Sequence, residues 1–173
     1  MLFQPPARNL ADAYQQIGAL GSASGHPQKA AAVVKTMQQQ LTKVIRSVPK
    51  AKRKLTVFHE ISPDGYAAAS ASFIGRVYKL FGFRNIADGA DTTNSGFPQV
   101  SNEYVIAQSP QLVVLSDTKC CSQTAASVAS RPGWSRVSAV LNKRVVAVDD
   151  DIASRWGPRI VAFAKAVAAA ARR

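Results

Sequence analysis

No apolar run in this chain approaches the roughly 20 residues that a bilayer-spanning helix needs. The opening residues, Met1-Leu2-Phe3-Gln4-Pro5-Pro6, have neither the basic region nor the apolar core of a secretory leader, so on its face the chain reads as soluble and cytoplasmic. Cysteine is limited to the adjacent pair Cys120 and Cys121. Neighbouring residues seldom bridge, because a disulfide normally wants Cα atoms about 4.4–6.8 Å apart, and two thiols without nearby Cys or His make a poor zinc site. The expectation is a pair of buried or half-buried loop thiols, no disulfide framework and no metal site. Histidine is limited to His26 and His59, and neither the Gly-rich phosphate loops nor a nucleophile elbow occurs, so no catalytic constellation is expected.

Acidic residues are also few: ten Asp and Glu face 22 Lys and Arg, a net charge of +12. That balance makes nucleic acid, an anionic membrane surface or an acidic ligand the first partners to consider. The cluster Lys50 to Lys54 follows a long helical pattern directly and has no interleaved aromatics, as a single-strand groove would want. It reads as a solvated helix end with cations set against the C-terminal dipole, so no nucleic-acid partner is expected.

What is present is a strong helical period from Pro27 to Val48. Val33, Val34, Met37, Leu41, Val44, Ile45 and Val48 fall on one face, with Lys35, Gln38 to Gln40, Lys43 and Arg46 opposite. The segment is about 30 Å long, enough to cross a small domain. Before it, residues 1–9 read as an extended connector, and a short helix from Leu10 to Leu20 ends at Gly21 and Gly25. After Pro49 the pattern becomes alternating strands and helices: strand 55–58, helix 73–81 closed by Gly82, a short helix capped by Ser101, strand 112–115, helical pieces at 125–129 and 134–140, strand 144–148, and a last helix opened by Pro158. This alternation predicts an α/β fold, a mainly parallel sheet flanked by helices on both faces and preceded by a long spine helix. The expected division is 1–26 connector and short helix, 27–48 spine, 49–173 lobe.

In such sheets ligands sit beyond the carboxyl ends of the strands, which points to the loops Glu60 to Ala71, Asp117 to Thr124 and Asp149 to Gly157. Two chemistries compete there. His59 with Glu60 could be a base and its partner, and Asp149, Asp150 and Asp151 could hold a hard cation, which together outline a small α/β enzyme. The plainer reading is a structural histidine and a turn of solvated carboxylates. The loops also carry the aromatics Tyr66, Phe97 and Trp156, the last beside Arg155 and Arg159: apolar platforms with a few charges suit a large planar or amphiphilic ligand, and the plainer alternative is that Trp156 and Phe97 plug the core.

The order and spacing of several pieces resemble the C-terminal half of the ABC-transporter substrate-binding proteins for vitamin B12, ferric siderophores and haem. These pieces are the helix pair before the first strand, Tyr66, Gly82-Phe83-Arg84-Asn85-Ile86, Phe97 to Glu103, Ser109 to Val114, Pro132-Gly133-Trp134 and Arg155 to Arg159. The resemblance implies one of two lobes joined by a rigid helix, a metal chelate as ligand (cobalamin, ferric siderophore or haem) with no cofactor, and a non-enzymatic monomer. It implies that Tyr66, Phe97, Asp117, Asp151, Arg155 and Trp156 contact ligand, and that Glu103 docks onto the membrane permease. It further implies a complete form with a second lobe, held outside the cytoplasmic membrane as a lipoprotein. Phe97 stands where the B12 pattern has tryptophan and Ser154 where it has an acid, so the choice of chelate stays open. The Cys120-Cys121 loop has no counterpart in the pattern.

Overall fold

The computed structural model describes residues 3–173; Met1 and Leu2, the start of the expected connector, lie outside the described residues. Helix α1 (Leu10–Ala23) is capped by Asn9, whose side chain accepts the Asp12 amide at 3.0 Å. It returns through a tight turn onto α2 (Pro27–Arg46), where Pro27 fills a position that needs no amide. The helices approach so closely at this turn that a side chain on Gly21 would collide with Ala30. Helix α2 ends two residues before the expected Val48. Pro49 disfavours helical geometry in the residue before it, and the Ser47 hydroxyl donates to the Val44 carbonyl at 2.6 Å.

Beyond a single 3₁₀ turn the chain runs β1 (Thr56–Glu60), α3 (Phe73–Phe81), β2 (Arg84–Asn85), α4 (Asn102–Gln108), β3 (Leu112–Leu115), α5 (Thr118–Cys121), α6 (Ala125–Ala129), α7 (Ser138–Leu141), β4 (Val145–Ala147), α8 (Asp150–Ser154) and α9 (Ile160–Arg172). The four strands form one parallel sheet in the order β2-β1-β3-β4. Strand β2 escapes the sequence pattern because it is two residues long and polar, and the expected helix over 134–140 is a 3₁₀ turn at Trp134–Arg136 followed by α7. The parallel sheet is of the kind the alternation predicts, with β2 added at one edge.

Alternate residues of each strand feed two cores. Val57, Leu112 and Val114 pack with Met37, Leu41, Tyr78, Phe81, Phe163 and Val167 from α2, α3 and α9. Phe58, Val113, Leu115 and Val145 pack on the other face with Val105, Val128, Trp134 and Val137. Strand interiors buried on both sides are what a parallel sheet demands. Helix α2 buries Ala30, Met37, Leu41 and Val44, while Val33, counted on its apolar face in the sequence, is exposed. No helix among the described residues is long and apolar enough to cross a membrane.

Candidate functional site

The edge beyond the carboxyl ends of the strands is built first by a two-stranded ribbon. Residues 65–69 run antiparallel to 96–100, with the Ala67 amide donating to the Pro98 carbonyl at 3.0 Å, Ala69 to Gly96 at 2.9 Å and Val100 to Gly65 at 2.9 Å. Alternation along the ribbon buries Ala67 and Pro98 and turns Tyr66 and Phe97 outward, 43% and 49% exposed. The Asp91 carboxylate accepts the Ser95 and Gly96 amides at 2.8 and 2.9 Å and so fixes the turn that presents Phe97. Gly96 has φ +82°, and its α-carbon lies so close to Ser72 that a Cβ would come within 2.8 Å of the Ser72 amide nitrogen. That contact sets Phe97 beside the start of α3. There Phe73 meets Trp156, 37% exposed, edge to face at 6.4 Å between centroids. The three aromatics picked out in the sequence are therefore all exposed, Tyr66 and Phe97 on the ribbon and Trp156 against Phe73 at the start of α3.

The segment leading to Trp156 is braced by charge. Lys119 bridges Asp149 and Asp151 at 3.0 and 2.7 Å, and Asp151 also takes the Arg155 guanidinium at 3.0 Å. Hydrogen bonds from Lys119 and then Arg155 bring the Asp151 carboxyl down to about 2. Asp150 accepts the Thr118 amide at 2.9 Å, its hydroxyl at 2.7 Å and the Lys119 amide at 3.2 Å. The carboxylates stay in contact with solvent, Asp149 and Asp151 with 39% and 38% of their side-chain surface exposed, as the sequence suggested, but they are also ordered by partners. Their oxygens are engaged by cations and amides, and among the described residues no group of three or more His, Cys, Asp or Glu is placed to hold a metal.

Asp117 does not share this surface. It is wholly buried, neither carboxylate oxygen has a hydrogen-bond partner, and burial and then the neighbouring Glu60 push its carboxyl up to about 7. Glu60 is buried too and is gripped by both guanidinium nitrogens of Arg131 at 2.6 Å, while Arg131 also reaches Gln123 at 2.8 Å and lies 5.0 Å over the Trp134 ring. Arg131 was not singled out in the sequence. Its partner is 71 residues away, and no local pattern announces such a pair. His59 points to the opposite face of the sheet, where its ring nitrogens pair with the Tyr78 hydroxyl at 2.6 Å and the Ser116 hydroxyl at 2.9 Å. Burial lowers its pKa to about 3, so it stays neutral, sealed and fully hydrogen-bonded. His59 and Glu60 consequently do not form an acid–base pair open to a substrate.

Glu103 is exposed in the first turn of α4, a helix capped by the Ser101 hydroxyl, which accepts the Tyr104 amide at 3.1 Å. The Trp134 indole anchors the start of that helix by donating to Asn102. A cavity of about 620 Å³ opens between this helix start, the Pro63–Gly65 turn and Arg131, with Phe58 and Trp134 on its walls. None of the expected ligand contacts lines it. Cys120 and Cys121 require a correction: their sulfurs are joined as a disulfide, where two separate thiols were expected. The expectation rested on the usual Cα separation, whereas this pair is 3.8 Å apart, the spacing of any trans peptide, in the short helix α5 that Ser122 ends in the left-handed region at φ +53°.

A sequence profile described as "Periplasmic binding protein" matches residues 1–152. An uncharacterized ABC transporter substrate-binding lipoprotein of Bacillus subtilis, YvrC, is 31% identical over 160 residues, covering 90% of this chain and 48% of that protein. A cobalamin-binding protein of Halobacterium salinarum is 29% identical over 150 residues, covering 85% and 40%. Among solved structures, a possible iron-binding (periplasmic solute-binding) protein of Staphylococcus epidermidis superposes with a TM-score of 0.84 at 27% identity, over 99% of this chain and 66% of that one. The chain spans about half the length of the curated relatives it matches.

Proposed function

The chain belongs to the periplasmic binding protein family, and from that premise we propose that it supplies the C-terminal lobe of the substrate-binding component of an ABC importer. The ligand is a metal chelate of the cobalamin, ferric siderophore or haem type. The observation that carries this reading is the exposure of three aromatics, Tyr66, Phe97 and Trp156, on segments beyond the carboxyl ends of the strands, where a parallel sheet of this kind receives ligands. Flat apolar platforms flanked by Arg155 and Asp151 suit a macrocycle that carries both a large ring and polar substituents. The name of the Halobacterium relative, a cobalamin-binding protein, agrees with that chemistry, and that of the Bacillus relative, an ABC transporter substrate-binding lipoprotein, agrees with the transport role.

In this reading residues 49–173 are the ligand-facing lobe, 27–48 the interlobe spine and 1–26 the connector that leads into it. The complete form works as a monomer outside the cytoplasmic membrane, held there as a lipoprotein. Glu103 contacts the permease: it projects from a helix start, where a carboxylate is stabilised by the dipole and by a neighbouring cap. The family consists of substrate-binding proteins rather than enzymes, and the buried His59 and the arginine-locked Glu60 agree with a cycle of binding and release without chemistry.

The test is a titration with cyanocobalamin, haem and a ferric hydroxamate, followed by the visible absorption of the chelate. One of them should bind, and Tyr66→Ala with Phe97→Ala should weaken it about tenfold or more, since each stacked aromatic contributes on the order of 1 kcal/mol beyond its buried area. Unchanged affinity in the double variant, or a collapsed melting curve showing that the two rings hold the core, would overturn the assignment.

A further inference from the structure

The positive charge of the chain gathers at the pole where strands begin and helices end. Helix α2 delivers Lys43 and Arg46 there, both exposed, and the turn after it adds Lys50, Lys52, Arg53 and Lys54. Arg172 at the end of α9 donates to the Ser47 hydroxyl at 2.7 Å, and Arg173 donates to the Lys143 carbonyl at 3.2 Å, so the ends of α2 and α9 meet the start of β4. The Arg53 carbonyl lies against Gly82, and the Leu55 carbonyl accepts the Arg84 amide at 2.9 Å, which brings the exposed Lys79 and Arg84 to the same pole. Segments 43–54, 79–84, 141–146 and 170–173 contain no Asp or Glu. None of the salt bridges among the described residues involves their cations.

Three helix ends account for part of this, because a cation or two stabilises each negative terminus. They do not account for all of it. Unpaired like charges held this close repel one another in the folded state, and a polyanionic surface relieves that repulsion. Two exposed leucines share the pole: Leu80, 43% exposed beside Lys79, and Leu141, 68% exposed two residues before Lys143. The aromatics in these segments, Phe81 and Phe83, are buried and stacked on each other at 5.3 Å, which leaves no platform for a base.

We propose that this pole is a contact surface for an anionic phospholipid membrane, with lysines and arginines over the headgroup phosphates and Leu80 and Leu141 entering the interface. Cations mixed with aliphatic tips favour a lipid surface over nucleic acid, which would ask for exposed aromatics. The contact lies at the opposite end of the strands from Tyr66, Phe97 and Trp156 and does not depend on what they bind.

The experiment is co-sedimentation with phosphatidylglycerol-containing vesicles and with pure phosphatidylcholine vesicles, across a salt series. The expected result is binding to the anionic vesicles only, falling as salt is added. Lys50→Gln with Lys52→Gln and Lys54→Gln should lower it on the order of 100-fold, from roughly fivefold per cation. Leu80→Ser with Leu141→Ser should weaken binding without altering its salt dependence, and the Tyr66→Ala, Phe97→Ala variant should bind the vesicles as the parent does. Melting curves confirm that each variant is folded. Equal binding to neutral vesicles, no binding at low salt, or full binding by the folded triple variant would overturn the proposal. Displacement from the vesicles by an oligonucleotide at lower phosphate concentration than the lipid presents would reassign the pole to nucleic acid.

Discussion

Two buried groups, His59 in β1 and Asp117 just after β3, titrate in opposite senses, and their effects on stability should nearly cancel. Asp117 has a folded pKa raised from 3.8 to about 7, so between those values the native state holds a proton that the unfolded chain has released. Its contribution is therefore most favourable at low pH and is lost as pH rises through that window. His59 has a folded pKa lowered from 6.5 to about 3, so the unfolded chain binds the extra proton, and stability is lost as pH falls from 6.5. From pH 4.5 to 6.5, linkage gives a loss of about 2 kcal/mol from Asp117 and a gain of about 2 kcal/mol from His59. The parent should be nearly flat over this range, above the titration of the exposed carboxylates. Asp117→Asn removes one of the two terms and should show stability rising by about 2 kcal/mol from pH 4.5 to 6.5. His59→Gln should show the mirror image, falling by a similar amount. Urea unfolding at several pH values measures all three, and the constant offset each substitution causes drops out of the slopes. If Asp117→Asn kept the flat profile of the parent, the account of the buried carboxyl would be wrong.

Two further outcomes rest on single contacts. Arg131→Ala leaves the buried Glu60 carboxylate without its partner and should cost about 3–5 kcal/mol by urea unfolding, whereas a loss under 1 kcal/mol would mean that water reaches Glu60. Glu103→Ala should leave chelate affinity and melting unchanged but abolish stimulation of the permease in a reconstituted transporter. Undiminished uptake would remove the docking role.

The parallel sheet and the spine were legible because they are written locally. The apolar face of α2 repeats at helical spacing, and runs such as Leu112 to Leu115 can only be strand interiors in an alternating chain. The exposed platforms were legible for a related reason: Tyr66 and Phe97 sit among Gly, Pro, Ser and Asp, where a large ring has no helix or strand to bury it. Asp117 was misplaced because position in a strand-end loop does not reveal which way a side chain turns, and here it turns inward beside Glu60. Arg131 was invisible because its importance lies in a partner brought near only by the fold. The partners of carboxylates 149–151 were invisible because the Lys119 and amide donors that engage them come from the loop of another strand.

That engagement has a mechanical meaning. Lys119 and the amides of α5 tie the segment before Trp156 to the loop after β3, so the indole is supported by two strands and not by one flexible tether. A binding surface that must first be ordered gives up part of its contact energy to that ordering, at about 0.5–1.5 kcal/mol per immobilised side chain. Here the lysine and the backbone donors have already frozen that end of the edge. A chelate settling against Trp156 would meet a wall whose entropy was surrendered during folding, and would keep more of each contact as affinity.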